Sequence, residues 1–200
     1  VLITARNECI NKFIKKHIYA FYAGGNAATW ALNRAFKGSN SMSSKNLLIL
    51  GMGLQGKGAL HDVLAHNTFA HVTVADCGAR YESEKADYEA RGVRALTVDA
   101  NDEQALRNLL AEHDVVIELL PISLAMKVGR IAAETGTHLV SSMYYIGQSM
   151  TDPVLFRQMK QEMDEIDEIA RRNGCTLLIA FGMDPGLDLL LGADALSRMD

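Results

Sequence analysis

From Lys45 onward, apolar residues fall into short runs separated by stretches with helical spacing. The runs are NLLIL at 46–50, HVTVAD at 71–76, VRALTVD at 93–99, DVVIELL at 114–120, THLVSS at 137–142 and CTLLIAF at 175–181. Amphipathic segments fill the gaps at 54–66, 80–91, 102–112, 123–135 and 153–173. Strands spaced by helices of this length predict βαβ units with right-handed crossovers. The fold class is therefore α/β, a doubly wound parallel sheet of Rossmann type, and six such strands suggest the order 3-2-1-4-5-6. The near-continuous apolar character of the first and fourth runs fits strands buried on both faces. Asn101, with Asp102 and Glu103 in the first turn, predicts one helix start, and Ser123 after Pro121 predicts another.

The segment 147–173 is longer than the other crossovers and carries several Met residues. Met as core filler on one side of a long helix is the plain reading, with the acidic run EMDEIDE as its solvated face.

The first apolar run ends in Gly51-Met52-Gly53-Leu54-Gln55-Gly56. Gly51 lets the chain turn off the strand, Gly53 leaves room for pyrophosphate, and Gly56 lets the helix approach the sheet. A helix starting at Leu54 and Gln55 offers free N–H groups and its positive end to phosphates. One strand later stands Asp76, twenty-five positions after Gly51. A carboxylate there accepts hydrogen bonds from both ribose hydroxyls and repels a 2′-phosphate, which favours NAD. Arg80 is the residue type that grips a 2′-phosphate, so NADP stays open. The plain alternative for Asp76 is a helix-start cap. Asp99, closing the third run, sits either near the adenine or at a cap.

Composition adds limits. The chain has 200 residues, 48% hydrophobic and 22% charged, with a net charge of −4. That charge gives no reason to expect nucleic acid as a partner. No apolar run approaches the roughly 20 residues of a membrane span. Cys9, Cys77 and Cys175 are odd in number and widely spaced, so neither a disulfide framework nor a metal site is indicated. A reducing, cytoplasmic setting fits. Residues 1–41 hold six basic residues and one acidic, and 42–200 hold fourteen and twenty-three, dividing the charge as +5 and −9. Three parts are expected: a basic extension at 1–41, a dinucleotide-binding domain at 42–182, and the start of a second, substrate domain at 183–200. Met42 suggests a natural start; a targeting peptide is the competing reading of 1–41.

The later runs are more specific. The fourth strand leads into VVIELLPIS, the fifth into LVSSMYY, the sixth into LLIAFGMDPGLD. Together with the glycine loop, VADCGAR and LTVDANDEQALRNLL, these stretches resemble the saccharopine dehydrogenase family over roughly Lys45 to Asp200. That family includes saccharopine reductases, lysine 6-dehydrogenases and carboxynorspermidine dehydrogenases. The resemblance implies that Gly51, Gly53 and Gly56 hold pyrophosphate and Asp76 the ribose. Leu120, Pro121 and Ser142 would frame the nicotinamide, and Asp184, Pro185 and Gly186 would stand at the junction to the substrate domain. It also implies homo-oligomers for the full-length protein. Two departures fall where substrate choice is decided: Ser142-Met143-Tyr144 stands where members often read Thr-Ser-Tyr, and Leu189 follows Asp188 where many saccharopine reductases have His.

The expected activity is NAD(P)-dependent hydride transfer at a C–N bond of a small amino-acid substrate, lysine- or saccharopine-like. A carboxynorspermidine-type polyamine reductase is an alternative, as is a regulatory module that binds NAD(H) without turnover. Proton transfer needs a group of suitable pKa, for which Tyr144 and Asp184 are the candidates within this chain.

Overall fold

The computed structural model describes residues 44–66, 69–142 and 151–179. Six strands form one parallel sheet in the order β3-β2-β1-β4-β5-β6. They are β1 (Asn46–Leu50), β2 (His71–Asp76), β3 (Arg94–Thr97), β4 (Val115–Glu118), β5 (His138–Ser141) and β6 (Leu177–Leu178). Five helices connect them: α1 (Leu54–His66), α2 (Ala79–Ala90), α3 (Glu103–Ala111), α4 (Ile122–Thr135) and α5 (Pro153–Arg172). The expected order is the observed one. β1 and β4 lie side at the centre, with the chain moving one way from β1 and the other way from β4. The topological switch point therefore falls between them, at their C-terminal ends.

Alternate residues of β1 point to opposite faces and all are apolar past Asn46. Leu47 and Ile49 join Leu60 of α1, Tyr81 and Tyr88 of α2, and Val74 and Val115. Leu48 and Leu50 join the larger core with α3, α4 and α5, including Leu106, Val128, Ile131, Met163 and Ile166. Residues 47–50 are wholly inaccessible to solvent. Burying a Leu or Ile side chain contributes about 1.5–3 kcal/mol, so β1 anchors both layers. Met163 serves as core filler, as its helical position suggests. Ion pairs clasp the outer helices of the larger layer: Arg107 of α3 reaches Glu134 of α4 at 2.7 Å, and Arg130 of α4 reaches Glu162 and Glu165 of α5.

Two expected helix starts are corrected. Asp102, one residue after Asn101, caps α3, its carboxylate accepting from Ala105 N at 3.0 Å. Ser123 lies inside α4; the cap position is Pro121, which has no side-chain bond to offer. Its fixed φ, −56°, suits a residue leading into a helix. The third to sixth strands are shorter than their apolar runs, because pairing stops while burial continues into the following turns. Among the described residues, no helix is long and apolar enough to cross a membrane.

Candidate dinucleotide site

Gly51 leaves β1 with φ +99°, a conformation that L side chains rarely adopt. Its N–H donates to Ala75 O at 2.9 Å, holding the turn against β2. A Cβ at Gly51 would stand 2.7 Å from the carbonyl oxygen of Leu119, so the turn after β4 lies directly against it. A Cβ at Gly56 would stand 2.0 Å from the carbonyl oxygen of Gly51. Only glycine lets α1 approach this closely. Gly53 differs: a Cβ there meets nothing within 4 Å. The space in front of Gly53 is open, so the packing of the protein itself does not call for glycine there.

Leu54, Gln55 and Gly56 form the first turn of α1, whose N–H groups have no intrahelical acceptor. No acidic residue lies in that turn to compete for them. Leu54 is 85% exposed, a large apolar side chain at the mouth of the loop. The N-terminus of α4 also opens at this end of the sheet, without a side-chain cap or an acidic first turn. Two uncapped helix starts therefore face the switch point, an arrangement suited to an anion.

Asp76 ends β2 and binds two backbone N–H groups. Oδ2 accepts from Met52 N at 2.5 Å and Oδ1 from Cys77 N at 2.6 Å. The carboxylate thus ties the glycine loop to the end of β2 and does not cap α2, whose N-cap residue is Gly78. Each oxygen keeps acceptor capacity beyond these bonds. Arg80, on the first turn of α2, is turned along its own helix toward Glu84, 3.3 Å away. Glu84 also receives Lys57 of α1 at 2.6 Å and the Tyr88 hydroxyl at 2.8 Å. Those hydrogen bonds, Lys57 first and Tyr88 next, hold its carboxyl down to about 2. Asp99 is exposed beyond β3; its Oδ1 accepts from the backbone and side-chain nitrogens of Asn101, which lower its pKa. It caps no helix.

On the other side of the switch point, Leu120 and Pro121 form the β4–α4 turn, and Ser142 follows β5. The hydroxyl of Ser142 is buried and has no hydrogen-bond partner among the described residues. Tyr144 and Asp184, with Pro185 and Gly186, lie outside the described residues. His138 opens β5 at the opposite end of the sheet, where its Nδ1 accepts from Thr176 N.

Sequence reasoning passed over Glu118. It is the last residue of β4 and fully buried, its Oε2 accepting from Ser141 Oγ at 2.6 Å and its Oε1 from Leu120 N at 2.8 Å. Burial raises its pKa, against the lowering effect of those two donors. The signal was a charged residue in the middle of the apolar stretch VVIELL at 115–120. A cavity of about 360 Å³ also exists, but at the N-terminal edge of the sheet, lined by residues including Asn46, Phe69, Thr73, Arg94 and His113. It lies away from the glycine loop and both uncapped helix starts, so it is not this site.

An open face at Gly53, two helix starts without side-chain caps, a fixed carboxylate and a buried hydroxyl without a partner among the described residues fit a dinucleotide laid across the switch point. Residues 47–178 match the family model of the saccharopine dehydrogenase NADP-binding domain. The chain is 32% identical over 155 residues to saccharopine dehydrogenase (NADP(+), L-glutamate-forming) of Saccharomyces cerevisiae, covering 78% of this chain and 31% of that protein. It is 28% identical over 124 residues to alpha-aminoadipic semialdehyde synthase of Arabidopsis thaliana, covering 62% of this chain and 10% of that protein. The solved structure of apo saccharopine dehydrogenase (L-Glu forming) from S. cerevisiae superposes with a TM-score of 0.59 at 29% identity, over 78% of this chain and 31% of that one. The chain thus spans under a third of the length of the curated relatives it matches. The chain belongs to the saccharopine dehydrogenase family through its NADP-binding domain, and its cofactor is a nicotinamide dinucleotide.

Proposed function

We propose that this chain is the cofactor-binding part of an oxidoreductase that transfers hydride at a C–N bond of an amino acid, and that it prefers NAD to NADP. The observation that carries the preference is Asp76. Its carboxylate is fixed at the tip of β2 by Met52 N and Cys77 N, where a 2′-phosphate would meet a negative charge unable to swing aside. Arg80 is engaged with Glu84, so the nearest candidate for gripping that phosphate is turned elsewhere. The saccharopine dehydrogenase of S. cerevisiae is named as NADP-linked, and this chain departs from that specificity in our reading.

In this assignment Gly51, Gly53, Leu54, Gln55 and Gly56 receive the pyrophosphate, and Asp76 takes the ribose hydroxyls. Asp99 flanks the adenine side, and Leu120, Pro121 and Ser142 frame the nicotinamide. The bound cofactor supplies the hydride chemistry, and the chain supplies orientation and the exclusion of water. Tyr144 and Asp184 remain the candidate proton-handling groups within this sequence. The amino-acid substrate rests on likeness to proteins named for saccharopine and alpha-aminoadipic semialdehyde.

The test is fluorescence titration of the chain with NADH and NADPH. Tighter binding of NADH, with the preference reduced by Asp76→Ser, supports the reading. Tighter binding of NADPH overturns the NAD preference, and binding of neither by the folded chain overturns the site.

A further inference from the structure

Glu118 is a carboxyl that the fold would be easier to build without. It is wholly inaccessible to solvent at the centre of the sheet, paired in register with Leu50 of β1 and Ser141 of β5. Its side chain shares a sheet face with Val116, which belongs to the larger apolar core. Among the described residues, no lysine or arginine forms an ion pair with it. An apolar side chain of similar size would fill the same volume without desolvating an acid. What the carboxyl adds is geometry. One oxygen holds the N–H of Leu120, in the β4–α4 turn, and the other holds the hydroxyl of Ser141, at the end of β5.

Those two segments form the wall opposite the adenosine half. The turn after β4 presses on Gly51, with the Leu120 side chain 3.3 Å from where a Gly51 Cβ would stand. Ser142, the next residue after Ser141, carries the buried hydroxyl without a partner among the described residues. A hydroxyl both donates and accepts, and so suits a carboxamide. We propose that Glu118 is a positioning residue for the nicotinamide half of the cofactor: by clamping the β4–α4 turn to the end of β5, it sets where the Ser142 hydroxyl meets the carboxamide. The clamp rests on the dinucleotide reading above and goes beyond it, since Glu118 itself touches no cofactor.

The experiment compares NADH with ADP-ribose, which lacks the nicotinamide, on the whole 200-residue chain. Wild type binds NADH more tightly than ADP-ribose. Glu118→Gln keeps the ADP-ribose Kd within about twofold and weakens NADH by about tenfold, the effect of roughly one misplaced hydrogen bond. Ser142→Ala weakens NADH in the same selective way, and the double variant loses little more than either single, as coupled groups do. Equal loss of both ligands, or NADH binding unchanged in Glu118→Gln, overturns the clamp and leaves a purely structural acid. Should Glu118→Gln fail to fold, Ser141→Ala removes one anchor only and decides by the same split. Wild type binding ADP-ribose and NADH equally overturns the clamp alone; wild type binding neither overturns the dinucleotide reading and the clamp with it.

Discussion

Gly53 and Gly56 sit three residues apart, one just before α1 and the other in its first turn, yet replacing each with alanine has opposite consequences. A Cβ at Gly56 would stand 2.0 Å from the Gly51 carbonyl oxygen and 3.0 Å from its carbon. Real Cβ atoms keep more than 3.0 Å, so α1 or the β1 turn must move by about 1 Å. Neither is a flexible side-chain end. Gly51 is held to Ala75 by a hydrogen bond, and α1 is anchored by the buried Leu60. Overpacking costs typically 1–3 kcal/mol, and a backbone-on-backbone clash belongs at the upper end, about 3 kcal/mol. For a chain of this size that lowers Tm by roughly 6–12 °C. Gly53→Ala meets nothing within 4 Å, so its Tm should hold or rise slightly through reduced unfolded-state entropy. Its added methyl instead stands where pyrophosphate would approach, so NADH affinity should fall at least tenfold, about 1.4 kcal/mol. Thermal unfolding followed by circular dichroism, paired with NADH titration, reads both. The reasoning is refuted if Gly56→Ala melts with wild type, or if Gly53→Ala unfolds early or binds NADH normally.

Further outcomes follow from the same structure. Tyr81→Phe removes a buried hydroxyl bonded to Val74 O at 3.0 Å; urea unfolding should show a loss of about 1 kcal/mol, since the carbonyl keeps other partners in the sheet. His113 is buried between Leu109 O and the Thr73 hydroxyl, and burial lowers its pKa; His138 is lowered by burial too, and by Lys45. The unfolded chain therefore takes these protons first, so stability is complete above about pH 6.5 and falls as pH drops toward the lowered values. The urea midpoint at pH 8 and pH 5.5 should differ in that direction, and His113→Gln should shrink the difference. Glu118 acts with the opposite sign: its raised pKa means stability present below about pH 4.5 is lost as pH rises through the folded value. Glu118→Gln should thus gain relative to wild type as pH rises, measured by the same midpoints.

The first two strands and the first helix were legible residue for residue. β1 and β2 are bounded by Gly51 and by the Asp76-Cys77-Gly78 break, and α1 begins directly after Gly53. Beyond β2 the ends drifted inward, because apolar runs record burial whereas strands record pairing. Leu120, for instance, is buried but already past β4. At β6 only Leu177 and Leu178 find partners, on Leu139 and Val140 of the adjacent β5. Cap positions slipped by a residue at α3 since Asn101 and Asp102 are both good caps by type. The glycine loop and Asp76 were visible because their spacing is local. The second bond of Asp76, to Met52, was not, nor was the Glu118 clamp. The Met52–Asp76 and Ser141–Glu118 bonds each join residues more than twenty positions apart, and no periodicity records such a meeting.

The Met52–Asp76 bond has a consequence for anyone who would re-engineer this chain. In the proposed assignment, the side chain that would select against a 2′-phosphate is also the one that ties down the glycine loop, through Met52 N. On that assignment, selectivity and loop order would be one trait, carried by one carboxylate. A route from NAD to NADP that truncates the side chain at position 76 frees the Met52 N–H as well. It therefore trades discrimination for a looser grip on either cofactor. A productive switch must restore a neutral acceptor at that position, as serine or asparagine would, before a cation is placed to welcome the extra phosphate.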